Sequence, residues 1–292
     1  MNFQEIVSSA IKETVKGSHD PDINVSIALY PLDKEPLIYH HYEQQDQRYH
    51  PASLIKLFHA YIAKYKIQSN AADFALEKIK DPESFASANH MDDVYAAIDA
   101  ALRESDNDAL SYLMDYNSGV SSGPRLDEAG LEVFKNARHQ ISEFFHERGY
   151  SKQLNLPGKC FSFAPYGREK QLSLEEEGLG RNAILIQDVV QIMMALRADF
   201  PELFVSIKRE LEDDSDIQTQ FIARGLREDK DQIKEYFSKA GWTSMVRHDA
   251  ALIKTNDNKE IIMVIMTKNL SQFEDLIPCL ANSCFSVIAT AS

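Results

Sequence analysis

Ser53 and Lys56 stand three residues apart in Tyr49-His50-Pro51-Ala52-Ser53-Leu54-Ile55-Lys56-Leu57-Phe58. On a helix that spacing stacks the lysine ammonium beside the serine hydroxyl, one turn away. Pro51 suits the first positions of such a helix, because its φ is already fixed near the helical value. Leu54, Ile55, Leu57, Phe58, Tyr61 and Ile62 form an apolar surface too broad for a helix lying on solvent. A lysine in those surroundings is pushed toward its neutral form, and a neutral lysine can take the serine proton. The helix N-terminus adds free backbone N–H groups and partial positive charge near Ser53. The pattern is short, however. Ser9-Ala10-Ile11-Lys12 matches it too, and a helix start with a snorkelling lysine would look the same.

Two further stretches carry side chains suited to the same chemistry. In Glu104-Ser105-Asp106-Asn107, Ser105 and Asn107 are two residues apart in a segment between helices. A hydroxyl there can relay a proton and an amide can bind a carbonyl. The same three residues also make a good helix N-cap. Ser87-Ala88-Asn89 is a rival in less apolar surroundings. In Lys239-Ala240-Gly241-Trp242 a lysine and a glycine enter a β-rich run, where glycine permits close backbone approach. A turn with a solvated lysine is the alternative. His40, His41 and His50 form a small cluster with no carboxylate or cysteine at ligand spacing, so they read as strand and turn residues.

The 292 residues, 44% hydrophobic and 26% charged, suffice for a large core in one domain or two intertwined ones. A formal net charge of −14 argues against nucleic acid and anionic membrane as partners. Cys160, Cys279 and Cys284 are odd in number and widely spaced, which argues against a disulfide framework and a metal site. No cofactor is expected. The N-terminal residues lack the apolar core of a signal peptide, and Ile261 to Met266 is too short to span a membrane. A cytoplasmic protein is therefore expected, or a periplasmic or secreted one had a leader been removed.

Apolar spacing over residues 3–16 predicts an amphipathic helix. Ile23 to Leu29 and Pro36 to Tyr42 predict a hairpin. Helices are expected over 51–67, 71–79, 92–103, 107–115, 125–148 and 186–198, with breaks at Asp81-Pro82, Gly119 to Pro124, Gly149 and Pro157-Gly158. Two more helical segments are expected from about 202 to Lys239. Strands follow over 245–254 and 260–267, and a last helix over 271–289. Strands at both ends and helices between predict an α/β (α+β) fold: one antiparallel sheet built from both termini, flanked by helices, with an all-helical domain inserted. The expected boundaries are 1–48 with 205–292 for the sheet domain and 49–204 for the helical domain.

Ser-x-x-Lys, then Ser-Asp-Asn, then Lys-x-Gly on a late strand is an ordered set. In this order and context the chain resembles the serine β-lactamase and DD-peptidase (penicillin-binding protein) superfamily, class A most closely. Arg168-Glu169-Lys170-Gln171-Leu172-Ser173 resembles the class A glutamate loop, with Ser173 where that family has asparagine. Glu175, Glu176 and Glu177 stand close by as rivals. The resemblance implies that Ser53 is acylated and that Lys56 is its base or relay partner. It also implies that Ser105 passes a proton to the leaving nitrogen, that Asn107 holds a substrate amide, and that Lys239 supplies positive charge. Glu169 would activate the water that releases the acyl group. Backbone N–H groups of Ser53 and Trp242, beside Gly241, would form an oxyanion hole. Arg247 would hold a substrate carboxylate.

The chain departs from the family at Ala240, where a hydroxyl is usual, at Ser173, and at Trp242, which is bulky. A helix around Ser122 to His139 is added. The activity so implied is β-lactam amide hydrolysis through an acyl-enzyme, as in antibiotic resistance. The alternatives are a D-Ala-D-Ala peptidase or esterase on the same site, and a non-catalytic binding relative. The expected partner is a small-molecule or peptide acyl substrate, and a monomer is expected.

Overall fold

The computed structural model describes residues 2–14, 24–41, 48–69, 94–160, 164–175, 178–211, 220–269 and 273–290. The expected helix over 71–79, its break at Asp81-Pro82, Ser87–Asn89, and Glu176 and Glu177 lie outside them. The chain forms two compact units, Met1–Leu54 with Leu185–Ser292, and Ile55–Ile184. Residues 49–54 and 185–204, expected in the helical domain, thus belong with the sheet.

The first unit is built on a five-stranded antiparallel sheet. Its strands are β1 (Asn24–Pro31), β2 (Leu37–His41), β3 (Ile233–Trp242), β4 (Val246–Thr255) and β5 (Glu260–Lys268). They lie in the order β2-β1-β5-β4-β3, so strands from both ends of the chain pair at β1 and β5. Alternation sends Val25, Ile27 and Leu29 into an apolar core shared with α1 (Phe3–Thr14) and the last helix, Leu276–Thr290. Ala28, Val264 and Ala250 share a register row pointing the other way. The helix Ile186–Asp199 packs on β1, β4 and β5 through Val189, Ile192, Met193 and Leu196, which is why it leaves the helical domain. With both faces covered, the central strands are buried almost throughout.

The strand β3 differs from expectation. Among the described residues from 202 to 232, only short 3₁₀ turns and the five-residue helix Phe221–Gly225 precede it. Residues 236–241 are buried on both faces, so no alternation shows, and Lys234, Glu235, Ser238 and Lys239 disguise the strand as polar. Its pairing comes from β4, a partner distant from local propensity. The β4–β5 turn at 256–258 is as expected, with Asn258 at φ 63°, a conformation asparagine tolerates.

The second unit is helical over its described elements: Ile55–Gln68, Val94–Arg103, Asn107–Ser118, Glu128–His146 and Gly167–Ser173. Ile55–Gln68 is buried from Ile55 to Lys64, as its all-round apolar sequence requires. Phe58 meets the edge of Phe145 at 5.2 Å, and Phe145 meets Tyr150 at 5.0 Å. Among the described residues no helix is long and apolar enough to cross a membrane, and no three His, Cys, Asp or Glu side chains converge as metal ligands. The three cysteines are unbonded.

Asp249 gives the sheet unit a distinct pH response. Its register partner is Ala240, it is fully buried, and its Oδ2 accepts the Ile222 N–H at 2.8 Å. Burial pushes its carboxyl up to about 7, against the pull of the Ile222 N–H and the charge of Lys239. The folded state therefore binds a proton that the unfolded chain releases near pH 3.8. The sign is the reverse of a salt-bridged carboxylate: stability is lost as pH rises from about 4 to 7 and is then level. Asp249→Asn, which can keep the bond to Ile222, is expected to gain stability over wild type by about 1.4 kcal/mol per pH unit between 5 and 7, and no more above. Urea unfolding of both proteins across that range checks this; a pH-independent difference would refute it.

Candidate active site

In the helical unit the site is built around Lys56. It lies at the second position of Ile55–Gln68 with no exposed surface. Its Nζ donates to the Ser105 carbonyl at 2.6 Å, to Ser105 Oγ at 3.1 Å and to Asn107 Oδ1 at 2.8 Å. Burial pushes the lysine down to about 8, against the opposing influence of Cys160 and Asp106. Ser105 reaches this geometry through φ 59°, an uncommon backbone conformation for serine. Asp106 is the N-cap, its Oδ1 accepting the Ala109 N–H at 2.7 Å. The Ser-Asp-Asn triplet therefore caps the helix and also meets Lys56. The middle residue caps the helix while its neighbours face the lysine.

In the sheet unit, Ser53 lies in the 3₁₀ turn Ala52–Leu54, entered through Ala52 at φ 47°. Three contacts fasten the approach to this turn. His50 Nδ1 accepts the Ala52 N–H at 3.1 Å. His248 donates from Nε2 to the His50 carbonyl at 2.8 Å, and its Nδ1 accepts the Thr267 N–H at 3.2 Å. These partners require the neutral Nε2–H tautomer, and burial pushes His248 down to about 4. Tyr49 lies edge-on to the His248 ring at 5.5 Å and bonds Ser26 Oγ at 2.9 Å.

Gly241 faces the same turn. A Cβ there would lie 2.7 Å from Ser53 N, 3.0 Å from Leu54 N and 3.1 Å from Ala52 Cβ. The close backbone approach that glycine allows is thus made by the serine turn itself. Lys239, two residues earlier on the same face, is buried and not solvated, and its Nζ donates to the Ala240 carbonyl at 3.0 Å. Ala240 points the other way into the core with Tyr236 and Ala251. Trp242 is 51% exposed.

Arg247 is not brought to Lys239. Its register partner is Trp242, which by alternation sets both opposite the face of Lys239 and Gly241. There the guanidinium pairs with Glu274 at 3.1 Å and covers the Phe221 ring at 5.6 Å. Only the register across β3 and β4 decides this; spacing in the sequence leaves it open.

Glu169 lies in the helix Gly167–Ser173, and its side chain is 2% exposed. It is no surface glutamate. Its Oε1 accepts Arg138 Nη2 at 2.7 Å and Ser122 Oγ at 2.9 Å. Arg138 Nη2 also bonds Asp115 Oδ1 at 2.8 Å, and Lys159 Nζ bonds Asp115 Oδ2 at 2.8 Å. None of Arg138, Asp115 and Lys159 was singled out from the sequence. A usable signal existed: Phe134, Arg138, Ile141 and Phe145 share one buried helical stripe, and a cation there must find carboxylates. Gly167 permits the start of the Glu169 helix, because at φ 52° a Cβ would lie 1.9 Å from the Gly123 carbonyl oxygen. Ser173 Oγ donates to the Lys170 carbonyl at 2.9 Å, and the rival Glu175 pairs with His139 at 2.9 Å.

Gly241→Ala is expected to push the serine turn off the sheet and to cost about 1–3 kcal/mol, the usual range for overpacking. Denaturant unfolding measures it; a variant as stable as wild type would refute the contact.

Over residues 213–285 the chain matches the β-lactamase enzyme family. Solved structures share its fold along nearly the whole length. A β-lactamase from Sphaerobacter thermophilus is 18% identical, with 98% of each chain covered and a TM-score of 0.62. PBP-A is 13% identical, with 99% of this chain and 97% of the other covered and a TM-score of 0.62. A class A β-lactamase from Mycobacterium abscessus is 14% identical, with 98% of each chain covered and a TM-score of 0.59. No curated protein sequence matches the chain. The chain therefore shares the fold of these structures, and its stretch carrying β3, β4 and β5 matches the β-lactamase enzyme family.

Proposed function

We propose that this chain is a serine hydrolase that opens a β-lactam amide through an acyl-enzyme on Ser53. The observation that carries this is Lys56, fully buried, pushed toward its neutral form, and bonded to Ser105 and Asn107. A lysine in that condition suits a general base, and it stands three residues after a serine in the sequence. In the acylation step Ser53 Oγ forms a bond to the carbonyl carbon and its proton passes to neutral Lys56. The C–N bond then breaks, and Ser105 hands the proton to the leaving nitrogen. Asn107 binds a substrate amide. Backbone N–H groups of Ser53 and Trp242 take the oxyanion, a contribution worth about 10²–10³ in rate per donor. Lys239 attracts the substrate carboxylate, with Arg247 turned away and no hydroxyl at Ala240.

A second reading, a D-Ala-D-Ala peptidase or esterase on the same serine, is favoured by one observation. Glu169, which would activate water, is already tied to Arg138 and Ser122.

A variant of PBP-A was solved as its acyl-enzyme with penicillin G, which makes that compound the first probe here. Intact-protein mass is expected to rise by one penicillin in wild type and not in Ser53→Ala. Absence of a gain and of penicillin consumption in wild type would remove the β-lactam reading, and a gain retained by Ser53→Ala would remove the nucleophile.

The rate of acylation should follow the neutral fraction of Lys56. It is expected to climb about tenfold per pH unit below about pH 8 and to level off above, because the proton must leave the lysine first. A profile flat from pH 6 to 9 would exclude Lys56 as the base.

A further inference from the structure

Pro51 narrows the ways in which the approach to Ser53 can be held. Proline has no backbone N–H, so the His50–Pro51 peptide can be fastened only through the His50 carbonyl. That carbonyl accepts His248 Nε2–H from β4 at 2.8 Å. Beyond the proline, Ala52 stands at φ 47°, a conformation that a residue other than glycine keeps only where its surroundings over-determine it. The His50 ring accepts the Ala52 N–H at 3.1 Å. One residue thus carries both bonds, its carbonyl to the sheet and its ring to the strained turn. Gly241, the register partner of His248, lies against Ser53 N and Leu54 N.

The His248 ring is itself fixed. It has no exposed surface, its Nδ1 accepts the Thr267 N–H at 3.2 Å, and the Thr267 hydroxyl donates to the Arg247 carbonyl at 2.8 Å. Tyr49 stands edge-on to it and is held in turn from β1 and β2, where Ser26 Oγ lies 2.9 Å from both Tyr49 Oη and His40 Nδ1. His40 and His50, two of the three histidines clustered in the sequence, belong to this support.

We infer that His248 is a positioning residue for Ser53: through the His50 carbonyl its Nε2–H holds the turn that carries the nucleophile, and with it the hydroxyl and N–H that acylation uses. This inference rests on the Ser53 acyl-enzyme proposed above. His248 acts through the turn and not on the reacting atoms. Its two nitrogens have separate tasks, Nε2 holding the turn and Nδ1 holding β5.

Two substitutions divide those tasks. In His248→Gln the side-chain amide can still donate to the His50 carbonyl but offers Thr267 no acceptor at the Nδ1 position. In His248→Asn the amide oxygen can accept the Thr267 N–H, but the shorter side chain does not reach His50. Each variant loses one hydrogen bond, so the two are expected to unfold at similar urea concentrations. The full-length proteins are mixed with penicillin G and adduct formation is followed by intact mass. His248→Gln is expected to acylate within about threefold of wild type. His248→Asn is expected to acylate about 10²-fold more slowly, the cost of a displacement of about 1 Å at a reacting group. The loss should fall on the limiting rate and not on the penicillin concentration that gives half of it. Equal rates in the two variants, or a loss confined to that concentration, overturn the inference while sparing the acyl-enzyme. No Ser53-dependent adduct in wild type overturns the acyl-enzyme reading and this inference with it. Should neither variant fold, the wild-type ring decides. Nitrogen NMR at neutral pH is expected to show His248 Nδ1 bare and Nε2 protonated; the opposite tautomer cannot donate to His50 and overturns the inference.

Discussion

A lysine with no surface exposed to water governs the candidate site. Lys56 survives burial because three oxygens meet it: the Ser105 carbonyl, the Ser105 hydroxyl and the Asn107 amide. None of the three carries a full negative charge, so the desolvation of the ammonium is only partly offset and its proton is loosely held. Had a carboxylate stood there, the lysine would be a fixed cation. The neutral oxygens require Ser105 in a left-handed conformation and Asp106 diverted to cap the next helix. A triplet that could have been only a helix cap thus also sets the protonation of a neighbouring helix.

Elsewhere the same unit does the opposite. Arg138 and Lys159 are buried almost as deeply as Lys56, yet each is matched by a carboxylate. A guanidinium keeps its charge under nearly any conditions, so its burial demands full compensation, and it recruits Asp115 and Glu169 to supply it. The contrast separates a cation suited to giving up a proton from cations that hold structure. Glu169 has the spacing of the class A glutamate loop, and its Oε1 accepts from Arg138 and Ser122, contacts that spacing alone does not foretell.

The sheet unit shows how a strand can serve a serine without contributing a side chain at the closest point. Gly241 lets β3 lie against the Ser53 turn, while His248, kept neutral by burial, ties the His50 carbonyl to β4. The two residues are register partners, so one row of the sheet anchors the turn from both strands.

The sequence alone determined the architecture. Strands at both termini, helices between, and the hairpin near residue 30 follow from composition and periodicity, which are local properties. It also singled out Ser53, Lys56, Ser105 and Asn107 as candidates, because helical spacing and capping chemistry act within a few residues of chain. Tertiary structure decided the rest. The strand β3 was hidden because its order comes from pairing with β4 rather than from its own residues. The face of Arg247 depended on a strand register, and a shift of one residue would have reversed it. The network around Glu169 joins residues from Asp115 to Glu169 that no periodicity links, and only packing shows that Arg138 reaches the carboxylate first. Local patterns name the side chains that can do chemistry; the charges packed around each one settle which of them is free to act.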